Sequence, residues 1–288
     1  MYIDLSQMKS GFCDRLRQIT FCIALEKLKN KEIKKIQIYE IKTNECPYYF
    51  TDLMCLKNIY IYNLKKKKKI KTIKMNPFNS EISLKTCAKF NKDHKVDNFK
   101  LLEEWKNIYK LLIPKKKFLS KINFFLKKKK ITCIHSRVTD KLLHYLDTLL
   151  EIPSKDVIYK KQLEDFCRNV CKLIPSGTKN IYLASDEGIY REKIANNLRS
   201  HYKIINENFF FNKKKLRQTS GENFIIDLFV MANCTSIIST TGGNVPLVAT
   251  LISKNYQTFI KWTNFKFIYK INLLLRTLVY LLRKIFKF

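Results

Sequence analysis

The sequence has few residues that break or loosen a chain. Its 288 residues include only 6 Gly and 6 Pro, too few for a collagen-like, linker-rich or low-complexity architecture. No apolar run reaches the roughly 18 residues needed to span a bilayer, which excludes a polytopic membrane protein. The first twenty residues, MYIDLSQMKSGFCDRLRQIT, lack the apolar centre of a signal peptide, so the chain is expected in the cytosol. No CxxC pair occurs. The nine Cys are scattered, with Cys167 and Cys171 the closest two, and they read as buried free thiols. The four His (His94, His135, His144 and His201) show no ligand spacing with Cys or carboxylate, and no metal is expected. A P-loop, a dinucleotide fingerprint and a Ser nucleophile elbow are all absent.

Arginine is also scarce. Only 9 of the 56 basic residues are Arg, in a chain of formal net charge +32. Much of the excess sits in Lys runs: 65–69, 115–117, 127–130 and 213–215. The balance is +20 over residues 1–130, +5 over 131–260 and +7 over 261–288. Base readout favours the bidentate Arg fork over Lys, so this distribution argues against nucleic acid as the partner. Lys clusters suit an anionic membrane equally well.

What is present is a large apolar share, 46% of residues with 13% aromatic, enough for a true core. Residues 2–5 and 36–41 predict strands, and residues 12–29 between them predict a helix with Leu16, Ile19 and Ile23 at helical spacing. A helix is expected near 99–113. The second half alternates more clearly. Strands are expected at 131–135, 180–184, 203–205 and 236–239, and helices at 157–174, 189–200, 222–233 and 245–253. That alternation predicts an α/β protein with parallel sheets covered by helices. Residues 1–130 form one expected α/β domain, 131–260 a second, and 261–288 a basic tail.

Ligands of such sheets bind beyond the carboxyl ends of the strands. Three polar clusters fall at those ends: His135 to Asp140, Ser185 to Glu187, and Thr240 to Asn244. In the first, Arg137 leaves a strand beside His135, Ser136 and Asp140, the rigid placement that a phosphate-binding guanidinium needs; a surface ion pair between Arg137 and Asp140 is the plainer alternative. In the second, Ser185 and Asp186 either meet a nucleotide or cap the next helix. In the third, Thr240, Thr241, Gly242 and Gly243 offer hydroxyls and backbone N–H groups to a diphosphate, or form an ordinary turn. A fourth cluster, Gly11 to Arg17, opens the first helix. Gly11 and Arg15 there suit an anion at a helix N-terminus, or belong to a simply capped helix.

The order of these segments resembles the inverting GT-B fucosyltransferases, a superfamily that includes α1,6-, α1,2-, nodulation-factor and protein O-fucosyltransferases. His135-Ser136-Arg137-Val138-Thr139-Asp140-Lys141 is similar to that group's H-x-R-R-T-D-K segment. Ile181 to Glu187 is similar to its IYLATDD segment. Asp227-Leu228 followed by Ser239 to Gly243 is similar to its final segment. The resemblance implies two Rossmann-like domains facing a cleft. It implies GDP-fucose or another nucleotide-diphosphate sugar as donor, transfer with inversion to a glycan or lipid-linked glycan, and no cofactor or metal. It further implies that Arg137 holds the donor's β-phosphate, that His135, Asp186 and Asp227 border the nucleotide, and that Thr240 to Gly243 meet the phosphates. The chain departs from the pattern at Val138, where the family has a second Arg, and at Gly242-Gly243, where it has hydroxyls. Asp140 and His144 are the candidates for the base.

The last 25 residues, 264–288, hold six bases, no acid and much Leu, Ile and Phe. They are expected to lie as a basic amphipathic helix on anionic lipid, placing the protein at the inner face of a membrane. Two other readings compete: a basic nucleic-acid-binding α/β protein, and a catalytically inactive scaffold with a glycosyltransferase fold.

Overall fold

A computed structural model describes residues 1–8, 11–29, 32–43, 46–68, 82–91, 94–136, 165–185, 188–207, 221–240, 244–261 and 278. The chain divides into two compact units. The first comprises residues 1–127, 219–233 and 244–256, and the second residues 128–218, 234–243 and 257–288. Division by compactness therefore departs from a single boundary at residue 130. Two helices from the second half of the sequence pack within the first unit.

The first unit is built on a three-stranded parallel sheet. Strand β1 (Tyr2–Asp4) pairs with β2 (Lys35–Tyr39), and β2 pairs with β4 (Tyr60–Asn63). Helix α1 (Phe12–Leu28) connects β1 to β2. A short helix, α2 (Phe50–Leu53), leads into β3 (Met54–Leu56). Helices α3 (Leu84–Phe90) and α4 (Asn98–Lys110) follow, each capped by a side chain, Ser83 and Asp97 respectively. Strand β5 (Leu112–Pro114) pairs antiparallel with β3, and α5 (Lys116–Leu126) closes the first stretch. The unit is completed by α8 (Gly221–Ala232) and α9 (Asn244–Ile252), which pack on each other and on α1, α4 and α5. Apolar residues decide this placement: Ile225, Ile226, Leu228, Phe229, Val230 and Met231 are all buried. Gly221 lies so close to Tyr48 that a Cβ there would meet the ring at 2.8 Å. Phe224 meets Phe12 edge-on at 5.6 Å.

The sequence predicts α1 from the helical spacing of Leu16, Ile19 and Ile23, and the structure buries every residue from Phe12 to Leu25 except Asp14. Its polar residues therefore need partners inside. The Thr20 hydroxyl donates to the Leu16 carbonyl at 2.8 Å and accepts from Trp105 Nε1 at 3.0 Å. Arg17 pairs with Asp14. Arg15, 1% exposed, donates to Glu40 Oε2 at 3.4 Å and to the Ile41 carbonyl at 2.7 Å. Glu40 Oε1 in turn accepts the Phe50 N–H at 2.7 Å. One buried ion pair thus ties α1 to the end of β2 and to the start of α2.

The second unit holds a five-stranded parallel sheet in the order β10-β9-β6-β7-β8. Its strands are β6 (Ile131–Ser136), β7 (Asn180–Ser185), β8 (Lys203–Ile204), β9 (Ser236–Ser239) and β10 (Thr258–Lys261). Every residue of β6 is buried, as expected of a central strand covered on both faces. Helix α6 (residues 165–173) and α7 (Gly188–Leu198) pack Phe166, Cys167, Val170, Ile194, Ala195 and Leu198 against Ile134, Ile181, Leu183 and Ile238 of the sheet. The amino-terminal part of the helix expected over 157–174 and the tail 264–288, apart from Leu278, lie outside the described residues. Among the described residues no helix is long and apolar enough to cross a membrane.

The ion pair is open to test. At about pH 8, where Glu40 is ionised, Arg15→Met or Glu40→Gln alone leaves its partner's charge buried and is expected to cost about 3–5 kcal/mol in urea unfolding, with the double variant costing less than the sum. Burial pushes the Glu40 carboxyl up from an ordinary 4.5 to about 7, against the opposing pulls of the Phe50 N–H and Arg15. The folded chain then holds that proton more tightly than the unfolded one. The stability Glu40 contributes is full below about pH 4.5 and is lost as pH rises through about 7. Unfolding measured across that window is expected to show the decline in the wild type and to lack it in Glu40→Gln.

Candidate active site

The site is built at the carboxyl edge of the second sheet. From β6 the chain moves outward to β7 and β8, then returns to place β9 on the other side of β6. The strand order therefore reverses between β6 and β9. A reversal of this kind opens a crevice beyond the strand ends, because the connections on either side depart over opposite faces. The carboxyl ends of β6, β7 and β9 lie side by side at this edge.

Register fixes which side chains meet. His135 is aligned with Ala184 on one side and with Ser239 on the other, and Ser136 is aligned with Ser185. Side chains alternate along a strand, so the edge presents two sets. On one face the Ser136 hydroxyl donates to Ser185 Oγ at 2.8 Å. On the other, His135 Nδ1 lies 3.3 Å from Ser239 Oγ. The latter contact spans the point where the strand order reverses. Thr240 continues the ladder, its N–H donating to the His135 carbonyl at 3.1 Å. His135, Ser136, Ser185, Ser239 and Thr240 are all buried. The other end of the sheet also carries hydroxyls, with Thr132 Oγ1 2.7 Å from Ser236 Oγ and 2.9 Å from Thr178 Oγ1.

The end of β7 is held by a side chain in place of a strand. Strand β8 is only two residues long. Beyond it, the Asn206 amide accepts the Leu183 N–H at 3.0 Å and donates to the Leu183 carbonyl at 2.9 Å. Arg191 of α7 donates to the Asn206 carbonyl. This clamp sits two residues before Ser185 and gives the end of β7 the pairing that the short β8 does not supply. The sequence carries no pattern that announces it.

Arg137, Asp140, His144, Asp186, Thr241, Gly242 and Gly243 lie outside the described residues. Asp227 is buried on α8 and belongs to the first unit. Gly11 is the N-cap of α1 with φ −64°, an ordinary extended conformation, and a Cβ there would meet nothing within 4 Å. Neither backbone freedom nor close packing requires that glycine. Arg15 differs from the reading that placed it near an anion. Its Nη groups are occupied by Glu40, Met8, Ile41 and Thr43 in the interior of the first unit. Among the described residues no group of three or more His, Cys, Asp or Glu could hold a metal ion.

These features define a mixed α/β chain with parallel sheets and a polar edge at a strand-order reversal. Solved structures similar to it are NodZ α-1,6-fucosyltransferase co-crystallised with GDP (TM-score 0.56, 11% identity, 91% of this chain and 95% of that one) and NodZ soaked with GDP-fucose (TM-score 0.53, 11% identity, 88% and 92%). NodZ from Bradyrhizobium is also similar, at TM-score 0.50 with 11% identity over 88% of this chain and 93% of that one. POFUT1 in complex with GDP-fucose is similar at TM-score 0.52, 11% identity, over 90% of this chain and 97% of that one. No protein-family model and no curated protein matches the chain. At this identity the likeness establishes the fold, and the fold is that of fucosyltransferase-like structures.

Replacing Asn206 by Leu tests the clamp. It leaves the Leu183 N–H and carbonyl buried without partners, at an expected cost of about 2–4 kcal/mol in denaturant unfolding.

Proposed function

We propose that the chain is a glycosyltransferase that moves fucose from GDP-fucose to a hydroxyl of a glycan or lipid-linked glycan, with inversion and without a metal ion. The observation that carries this reading is the His135–Ser239 contact across the strand-order reversal, in a fold shared with enzymes crystallised with GDP or GDP-fucose. Arg137 directly follows β6 in the sequence. A guanidinium there supplies the positive charge that a departing diphosphate requires.

The reaction is a single displacement. The acceptor oxygen attacks C1 of the sugar while the bond from C1 to the diphosphate oxygen breaks. The bonding pair leaves on that oxygen, where Arg137 stabilises it. Asp140 or His144 takes the acceptor proton as general base. His135, Ser185, Asp186 and Asp227 border the nucleotide, and Thr240, Thr241, Gly242 and Gly243 meet the phosphates. The buried hydroxyl pairs of β6, β7 and β9 prearrange this edge, so little reorganisation accompanies donor binding. Two facing domains form the cleft, and residues 264–288 hold the enzyme against an anionic membrane.

Thermal unfolding with GDP-fucose, GDP-mannose, GDP, UDP-sugars and CMP-sugars tests the donor. A ligand at 100 times its dissociation constant adds about 2.7 kcal/mol of stability. GDP-fucose is expected to stabilise the wild type, and Arg137→Ala to lose that stabilisation while remaining folded. A folded chain that no nucleotide sugar stabilises overturns the reading. Separately, deletion of residues 264–288 is expected to lower recovery of the protein with membranes, and unchanged recovery counts against the tail as anchor.

A further inference from the structure

Helix α5 (Lys116–Leu126) has two apolar aspects. Phe118, Ile122 and Phe125 recur at intervals of four and three and are buried, which seats the helix on the first unit. The outward aspect is unusual in charge. Lys116, Lys117, Lys121 and the C-cap Lys127 are exposed there, and no residue of the helix is acidic. Two large apolar side chains stand among them, Phe124 at 55% exposure and Leu119 at 38%. Lys121 and Ser120 precede Phe124 by three and four positions, so they share its side of the helix. Helix α4 also exposes a large apolar side chain, Phe99 at 70%, but there Glu103 interrupts Lys100, Lys106 and Lys110. Glu222 on α8 pairs with Lys121.

We propose that the outward face of α5 is a docking surface for an anionic phospholipid bilayer. Lysines attract the headgroup charge, and each one close to the surface strengthens binding by roughly fivefold. Phe124 and Leu119 enter the headgroup boundary between them, as the apolar face of an interfacial helix does. Lipid suits this face better than nucleic acid. Base stacking uses planar rings at successive positions, and Leu119 has no ring to offer. The proposal is independent of the donor chemistry and of the tail, since it rests on residues of the first unit alone.

The test is flotation of the full-length chain with vesicles of neutral phosphatidylcholine, alone or mixed with phosphatidylglycerol. The variant is Lys116→Glu/Lys117→Glu/Lys127→Glu, alongside Phe124→Ser. Lys100→Glu/Lys106→Glu/Lys110→Glu on α4 is the charge-matched control. All of these positions are exposed, and an unchanged melting temperature verifies folding. Binding to the anionic vesicles is expected to fall by roughly tenfold or more in the α5 triple variant. Phe124→Ser is expected to lower it by a few-fold, and the α4 control to lower it less than the α5 triple. Equal losses in the two triple variants would reduce the effect to net charge and overturn the proposal. So would unchanged vesicle binding in the α5 variants, or loss of binding to a single-stranded RNA probe without loss of binding to vesicles. Stabilisation by GDP-fucose, measured on the same variants, separates failure here from failure of the glycosyltransferase reading.

Discussion

The second unit depends on the in-register pairing of β6 with both of its neighbours. Parallel ladders tolerate no slip where both faces are buried, because a shift of one residue would turn every side chain to the wrong face. That constraint brings His135, Ser136, Ser185 and Ser239 to the same edge. The apolar residues of α6 and α7 enforce it from one face through Ile134, Leu183 and Ile238. The polar edge is therefore a by-product of core packing carried to the last residue of each strand. Its hydroxyls bond to one another, as buried polar groups must.

The first unit solves a related problem by other means. Its central helix is buried all round, so Arg15 and Glu40 must satisfy each other in the interior. Replacement of such a pair by apolar residues is often neutral or stabilising. Its value here is geometric. Bonds from Arg15 to the Ile41 carbonyl and from the Phe50 N–H to Glu40 hold the chain beyond β2 in one path.

Much of this was legible in the sequence. Short apolar runs marked β1, β2, β6, β7, β8 and β9 within a residue or two, and helical spacing marked α1, α4, α7, α8 and α9. That β6, β7 and β9 end in polar residues was readable along the chain, whereas their adjacency is settled by the strand pairing. Helix α5 was hidden by its own lysines. Its signal was the spacing of Phe118, Ile122 and Phe125, and Lys is a good helix former that need not interrupt it. The pair β3 and β5 was hidden because three-residue strands carry almost no periodicity. Assignment of α8 and α9 to the first unit was beyond local reading, since which sheet a helix covers is settled by tertiary contacts. The same holds for Arg15, whose place in a helix start suggested anion contact until its buried carboxylate partner came into view.

The three-part composition of the first unit has a consequence for biosynthesis. Its sheet and α1 to α5 are complete at residue 127, but α8 and α9 are encoded only by residues 221–252. At the usual elongation rate of about 5–20 residues per second, the ribosome needs roughly ten seconds more to deliver them. Through that interval the nascent chain carries the apolar surface of Phe12 and its neighbours without the cover Phe224 later supplies. The second unit's strands β6 and β7 emerge during the same wait. The first unit is thus completed only after most strands of the second unit have been made.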